Sequence, residues 1–178
     1  GPTGYDTFFY QNSSLMDGVT IGLDYIPSDG QTQIESSTAA TIKYTGIDGL
    51  TIGAGVGEDN GEGPTDSDDV TAFNVTYAMD AVSVGYSSYE VDTNNAGNST
   101  AGTTHVGDTT LTAMGISYAV SDDLSVSINS SETEIQGLTD QEALGISASL
   151  VVGSMTLSAN HNSVDNVGGT SGKDRSGY

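Results

Sequence analysis

From residue 110 to 132 the chain reads TLTAMGISYAVSDDLSVSINSSE, with apolar residues at every second position. Met114, Ile116, Tyr118 and Val120 alternate with Ala113, Gly115, Ser117 and Ala119. After Ser121-Asp122-Asp123 the alternation resumes as Leu124, Val126 and Ile128 against Ser125, Ser127 and Asn129. Period two predicts strands, because successive side chains of a pleated strand point to opposite faces, and so short a gap predicts a hairpin. The second face is built from small uncharged polar residues, where a soluble sheet would carry Lys and Glu. One side of this pair is therefore expected in lipid or a core, and the other in a sheltered, wet, uncharged space.

The same pattern recurs along the chain. It predicts strands at 18–26, 37–45, 50–57, 70–79, 82–91, 109–120, 124–132, 142–151 and 154–162, paired antiparallel in sequence order, with a short aromatic strand at 5–11 ending at Asn12-Ser13-Ser14. Short turns, such as Gly46-Ile47-Asp48-Gly49 and Asp80-Ala81, alternate with long polar stretches at 58–69, 92–108, 133–141 and 163–177, which are expected to be loops. The unit of strand, tyrosine, short turn, strand and long loop repeats about every 35–40 residues. In an up-and-down sheet this puts all short turns at one end. Tyr44, Tyr77 and Tyr118 then lie beside the short turns on the apolar face and, with Tyr25, make a candidate aromatic girdle of the kind found at a membrane interface. Ile42, Ile52, Val75, Ile116, Val126, Ile146 and Leu157 are expected on that same face. Strands of this length match a tilted crossing of the hydrocarbon layer.

Composition narrows the classes. The 178 residues hold 24 Asp+Glu against 3 Lys+Arg, a net charge of −21. Such a field repels nucleic acid and favours cations as small partners. Cysteine is absent, so no thiolate metal site or cysteine nucleophile is available. No apolar run approaches the length of a membrane helix. No GxSxG, HExxH or P-loop occurs, and Gly53-Ala54-Gly55 lies within a hairpin rather than opening a dinucleotide fold, so no catalytic residues are assigned.

Candidate sites follow from the two faces. Thr41, Thr51, Asn74, Thr76, Ser117, Ser127, Ser147 and Ser158 fall on the polar face as candidate pore-lining residues. Asp24 and Lys43 join them, either as pore-lining charges or as an ordinary cross-strand pair. The carboxylates Glu58, Asp59, Glu62, Asp66, Asp68 and Asp69 are a candidate loop site for Ca²⁺ or Mg²⁺, since hard cations take several oxygen ligands; the plainer reading is a solvated acidic loop, because EF-hand order is missing. Apart from such a loop-bound Ca²⁺, no cofactor is expected. His105 and His161 lack a partner at metal-ligand spacing, and His161 is expected as an interfacial ring.

The segments 37–57, 70–89 and above all 113–162, ending in SMTLSANHNSVDNVGG, resemble the C-terminal half of a bacterial general porin of the alphaproteobacterial type. The resemblance covers nearly the whole chain through its alternation and turn spacing. It implies an all-β fold, an antiparallel up-and-down transmembrane β-barrel, of which about ten strands would be present here, against about 16 in a complete general porin. It also implies a bacterial outer-membrane location, a homotrimer, contact with membrane lipid and lipopolysaccharide, and passive diffusion of small hydrophilic solutes and ions. The arginine ladder and constriction loop of such porins have no counterpart here, and Tyr178 stands where the next strand is expected to begin. Residues 1–178 are accordingly read as one barrel segment, incomplete at both ends. Two other functions fit the acidic loops: a surface β-protein acting as an adhesin, and a barrel acting as a phage receptor.

Overall fold

The computed structural model describes residues 7–28, 36–60, 67–93 and 107–178. They form one antiparallel sheet whose strands are β1 (Phe8–Met16), β2 (Val19–Ile26), β3 (Ser37–Ile47), β4 (Leu50–Asn60), β5 (Ser67–Met79), β6 (Val82–Thr93), β7 (Thr109–Ala119), β8 (Leu124–Ile135), β9 (Gln141–Val152), β10 (Met155–Asp165) and β11 (Arg175–Gly177). Spatial order equals chain order throughout. The up-and-down topology expected from alternation and turn spacing is therefore present, with eleven strands among the described residues rather than ten.

Tight turns make the hairpins. Asp17-Gly18 and Asp48-Gly49 place glycine at φ +73° in each case, and Asp80 adopts φ +50° between β5 and β6. Positive φ matches the twist that two-residue hairpins require, which selects Gly, Asn and Asp. Between β7 and β8 the Ser121 hydroxyl accepts from the amides of Asp123 (3.3 Å) and Leu124 (3.1 Å). The short turns also tie adjacent hairpins together. The carbonyls of Gly18, Gly49, Ala81 and Asp123 accept from the amides of Thr45, Ala78, Ala119 and Val151, at 2.7 to 2.9 Å. Gly49 is constrained twice over, because its Cα also lies against the Ala78 carbonyl, where a Cβ would collide. Gly49→Val should lower the free energy of unfolding by about 1–3 kcal/mol through backbone strain alone, read as a shift of the urea midpoint. An unchanged midpoint would show that this turn is not part of the cooperative unit.

On the short-turn side β1 continues past Gln11 through Asn12-Ser13-Ser14 to Met16, pairing with β2 across an irregularity between Asn12 and Met16. At the other end the strands overrun the expected loops. β4 and β5 pair out to Asn60 and Ser67, β8 runs to Ile135, and β9 begins at Gln141. The last expected loop is ordered as well. β10 extends to Asp165, a 3-10 turn occupies Val167–Gly169, and Arg175–Gly177 pairs with Asn162–Val164. The next strand thus begins before Tyr178, contrary to expectation. Asn166 organises this segment from the left-handed region (φ 53°). Its amide donates to Asp174 (3.1 Å), its side-chain NH₂ donates to the Asp140 carbonyl (3.0 Å), and its side-chain oxygen accepts from Gly172 (3.0 Å).

Among the described residues no apolar side chain is buried; Ile42, Ile116 and Leu157 are 50%, 44% and 64% exposed. A single sheet has no second layer to cover its apolar face, so that face is stable only against another apolar medium. The edge strands β1 and β11 each have one partner among the described residues.

Candidate functional site

Register decides which side chains share a face. The expected apolar set lies on one side, in rows that cross the sheet. One row runs Leu50, Tyr77, Val84, Ile116, Ile128, Ile146, His161, and another runs Tyr44, Ile52, Val75, Tyr86, Met114. The His161 ring, on this face, lies 4.6 Å from the Tyr178 ring, centroid to centroid.

The opposite face brings the candidate pore-lining residues together. Thr51 and Thr76 are partners, and Ser117, Ser127 and Ser147 stand in one row between Ser83 and Asn160. The Ser127 and Ser147 hydroxyls are 2.7 Å apart, and those of Ser149 and Ser158 are 3.4 Å apart. Thr41 faces Gly55, and Asn74 faces Gly53. Across the centre of the sheet this face is therefore hydroxyl, carboxamide and glycine.

Asp24 and Lys43 share that face without forming the cross-strand pair. Asp24 is opposite Ala39, whereas Lys43 is opposite Thr20. Four residues of register separate them by about 13 Å at about 3.3 Å per residue. One carboxylate oxygen of Asp24 is covered and has no hydrogen-bond partner. It borders a recess of about 400 Å³ lined by Ile26, Ala39, Thr41, Gly57, Val70 and Ala72.

The described ends of the acidic stretch, residues 58–60 and 67–69, are strand rather than the expected loop. Glu58 is opposite Asp69 on one face and Asp59 is opposite Asp68 in the next register pair, so the ladder assigns these four positions to two faces of a hairpin. Glu62 and Asp66 lie outside the described residues, as does His105. Among the described residues no three acidic or histidine side chains are gathered closely enough to hold a metal ion.

A further acidic band escaped the sequence reading. On the apolar side, β6 runs Val82, Val84, Tyr86 and then Ser88, Glu90, Asp92, while β8 runs Leu124, Val126, Ile128 and then Ser130, Glu132, Glu134. Glu142 stands opposite Glu132 and Asp165 opposite Glu142. The other face changes in the reverse sense, through Val70, Tyr89, Val91, Leu111 and Ile135. Pairing through β5, β6 and β7 is continuous, so this is a true inversion of face polarity and not a register slip. Its signal in the sequence is a change in the phase of the alternation near Ser87-Ser88 and Thr112-Ala113.

The tyrosines divide. Tyr44, Tyr77 and Tyr118 stand near successive short turns on the apolar face. The row of Tyr44 crosses β5 at Val75, and the row of Tyr77 crosses β7 at Ile116, so each is offset by two residues from the last. That stagger follows the hairpin ends, as expected of strands tilted in a barrel wall. Tyr25 does not join them. It pairs with Thr38 and Phe8 at the long-loop end, six residues from the Val19 that faces Tyr44.

Residues 4–178 match the family described as Gram-negative porin. No match is found among curated proteins. Among solved structures the chain is similar to an anion-selective porin from Comamonas acidovorans, with a TM-score of 0.66 and 11% identity over 90% of this chain and 48% of that one. At this identity the likeness carries the fold, a porin-like β-barrel wall. The chain spans about half the length of the porin it matches.

Proposed function

The chain belongs to the Gram-negative porin family of the bacterial outer membrane, and from that premise we propose that it forms part of the wall of a water-filled channel for passive diffusion of small hydrophilic solutes and ions. The observation that carries the reading is the division between faces. An apolar face with no protein layer over it suits lipid, while the opposite wall of hydroxyls and carboxamides can replace water's hydrogen bonds without holding a solute tightly, so that solutes enter and also leave. Asp24, Lys43, Thr41, Thr51, Asn74, Thr76, Ser117, Ser127, Ser147 and Ser158 are the residues assigned to the lumen. Open strand edges are very costly in hydrocarbon. On this reading the edges of β1 and β11 must therefore be paired within the membrane.

The channel is expected to favour cations. A charge of −21 with carboxylates concentrated at the long-loop end attracts cations to the mouth. The similar Comamonas porin is anion-selective; selectivity follows the charges at the mouth and constriction, and those can differ within one fold. Lipid and lipopolysaccharide along the apolar face and a homotrimeric assembly belong to the same proposal. Planar-bilayer recording on the complete, detergent-extracted protein is the test: stepwise, ohmic conductance with a cation-selective reversal potential is expected. A folded barrel that conducts nothing would replace the channel with a surface receptor working through its loops.

A further inference from the structure

The described residues that are buried are Gly22, Gly53, Gly145 and Gly169. The first three lie on the polar face, each directly opposite the residue that roofs it: Thr41 over Gly22, Asn74 over Gly53, and Asn129 and Asn162 from both sides over Gly145. A Cβ built at Gly53 would stand 2.7 and 2.9 Å from the Asn74 carboxamide nitrogen and oxygen. One at Gly145 would stand 2.9 Å from the Asn162 carboxamide oxygen and closer still to that of Asn129. Ordinary contact begins at 3.4 Å. The carboxamides therefore occupy the volume that a side chain would need, lying across the neighbouring strand instead of standing out from it.

The asparagines themselves are exposed, so the same groups that cover the glycines present their outer edges to the space in front of the sheet. A carboxamide offers two donors and an acceptor without charge, which suits hydrogen bonding to neutral hydroxylated solutes as well as to water around ions. Glycine inside a strand costs stability and gives no packing, so its placement beneath a side chain has a positional reason.

We infer that Gly53 and Gly145 are clearance positions, whose missing side chains let Asn74, Asn129 and Asn162 lie flat as hydrogen-bonding contacts for neutral polar solutes without narrowing the passage. This deepens the channel reading and rests on it for its functional part. Gly145→Ala forces both carboxamides to shift, and a shift away from the wall would carry them into the lumen.

The test uses the complete protein in two readouts. In detergent micelles with ¹⁵N-labelled asparagine, the side-chain amide signals of Asn129 and Asn162, identified by their loss in N129A and N162A, should shift in Gly145→Ala. In bilayers and sugar-loaded vesicles, Gly145→Ala should lower single-channel conductance and slow larger neutral sugars more than small ones, and the triple variant G145A/N129A/N162A should restore both. Alanine costs less than glycine inside a strand, so a folding defect is not expected, and heat-modifiable gel migration checks this. Unmoved amide signals, pores indifferent to Gly145→Ala, or a triple variant as restricted as the single would each overturn the inference. If the wild-type protein forms no pores, the channel reading fails and with it the solute-contact role; the amide shifts then decide the wall geometry alone.

Discussion

Arginine at Ile116 is expected to destabilise the folded barrel more than arginine at Ser117, one residue along: a charge on the lipid face costs about 2–4 kcal/mol at the midplane and less toward the interface, and Ile116 lies two residues from Tyr118. Ile116 lies between Val84 and Ile128, and Ser117 between Ser83 and Ser127. The two positions are adjacent in β7 but point to opposite media. Urea unfolding of the complete protein in lipid vesicles measures the difference. Ser117→Arg should instead alter conductance, since it adds a fixed charge to the polar wall. Equal penalties at both sites would mean that both faces are covered by protein, and the membrane assignment of the apolar face would fall.

Replacing Glu58, Asp59, Glu62, Asp66, Asp68 and Asp69 by Asn and Gln should reduce cation preference at low salt and leave conductance at high salt nearly unchanged. The carboxylates act through their summed field, which reaches about 10 Å at 0.1 M salt and about 3 Å at 1 M. Register puts Glu58, Asp69 and Asp92 in consecutive partner positions, so the first two share their face with a third acid. Like charges directly opposite also oppose strand pairing, and the neutralised protein should be no less stable. The reversal potential across a bilayer under a salt gradient is the measurement. A native pore that prefers anions, or a potential unmoved by neutralisation, would place selectivity elsewhere than in these carboxylates.

The centre of each strand was legible because lipid or core on one side and water on the other impose period two on the residues between. Ile128 and Ile146 could be assigned to one face and Ser127 and Ser147 to the other from spacing alone. The ends were not legible. Glu58 and Asp69 read as loop because acidic residues are depleted in strands; they are strand because backbone pairing from β3 and β6 carries the ladder past the apolar band. Arg175–Gly177 has no periodicity of its own, and only its pairing with Asn162–Val164 makes it β11. Asp24 and Lys43 read as neighbours because adjacent strands carry them, but a register offset of four residues cannot be read from either strand separately.

By itself the sequence determined the kind of sheet: antiparallel, up-and-down, two-faced, with tight turns at one end and acidic segments at the other. Those are local properties, set by which medium each side chain must meet and by which residues tolerate a hairpin backbone. Only the tertiary structure decided which residues stand opposite one another. It split the acidic stretch between two faces, moved Tyr25 to the far end from Tyr44, and carried the strands into a rim where the faces exchange polarity. It also laid Asn129 and Asn162 over Gly145. The physical reason is that register comes from hydrogen bonds between backbones distant in sequence, so each strand's neighbours, and the space left above a glycine, exist only once those bonds have formed.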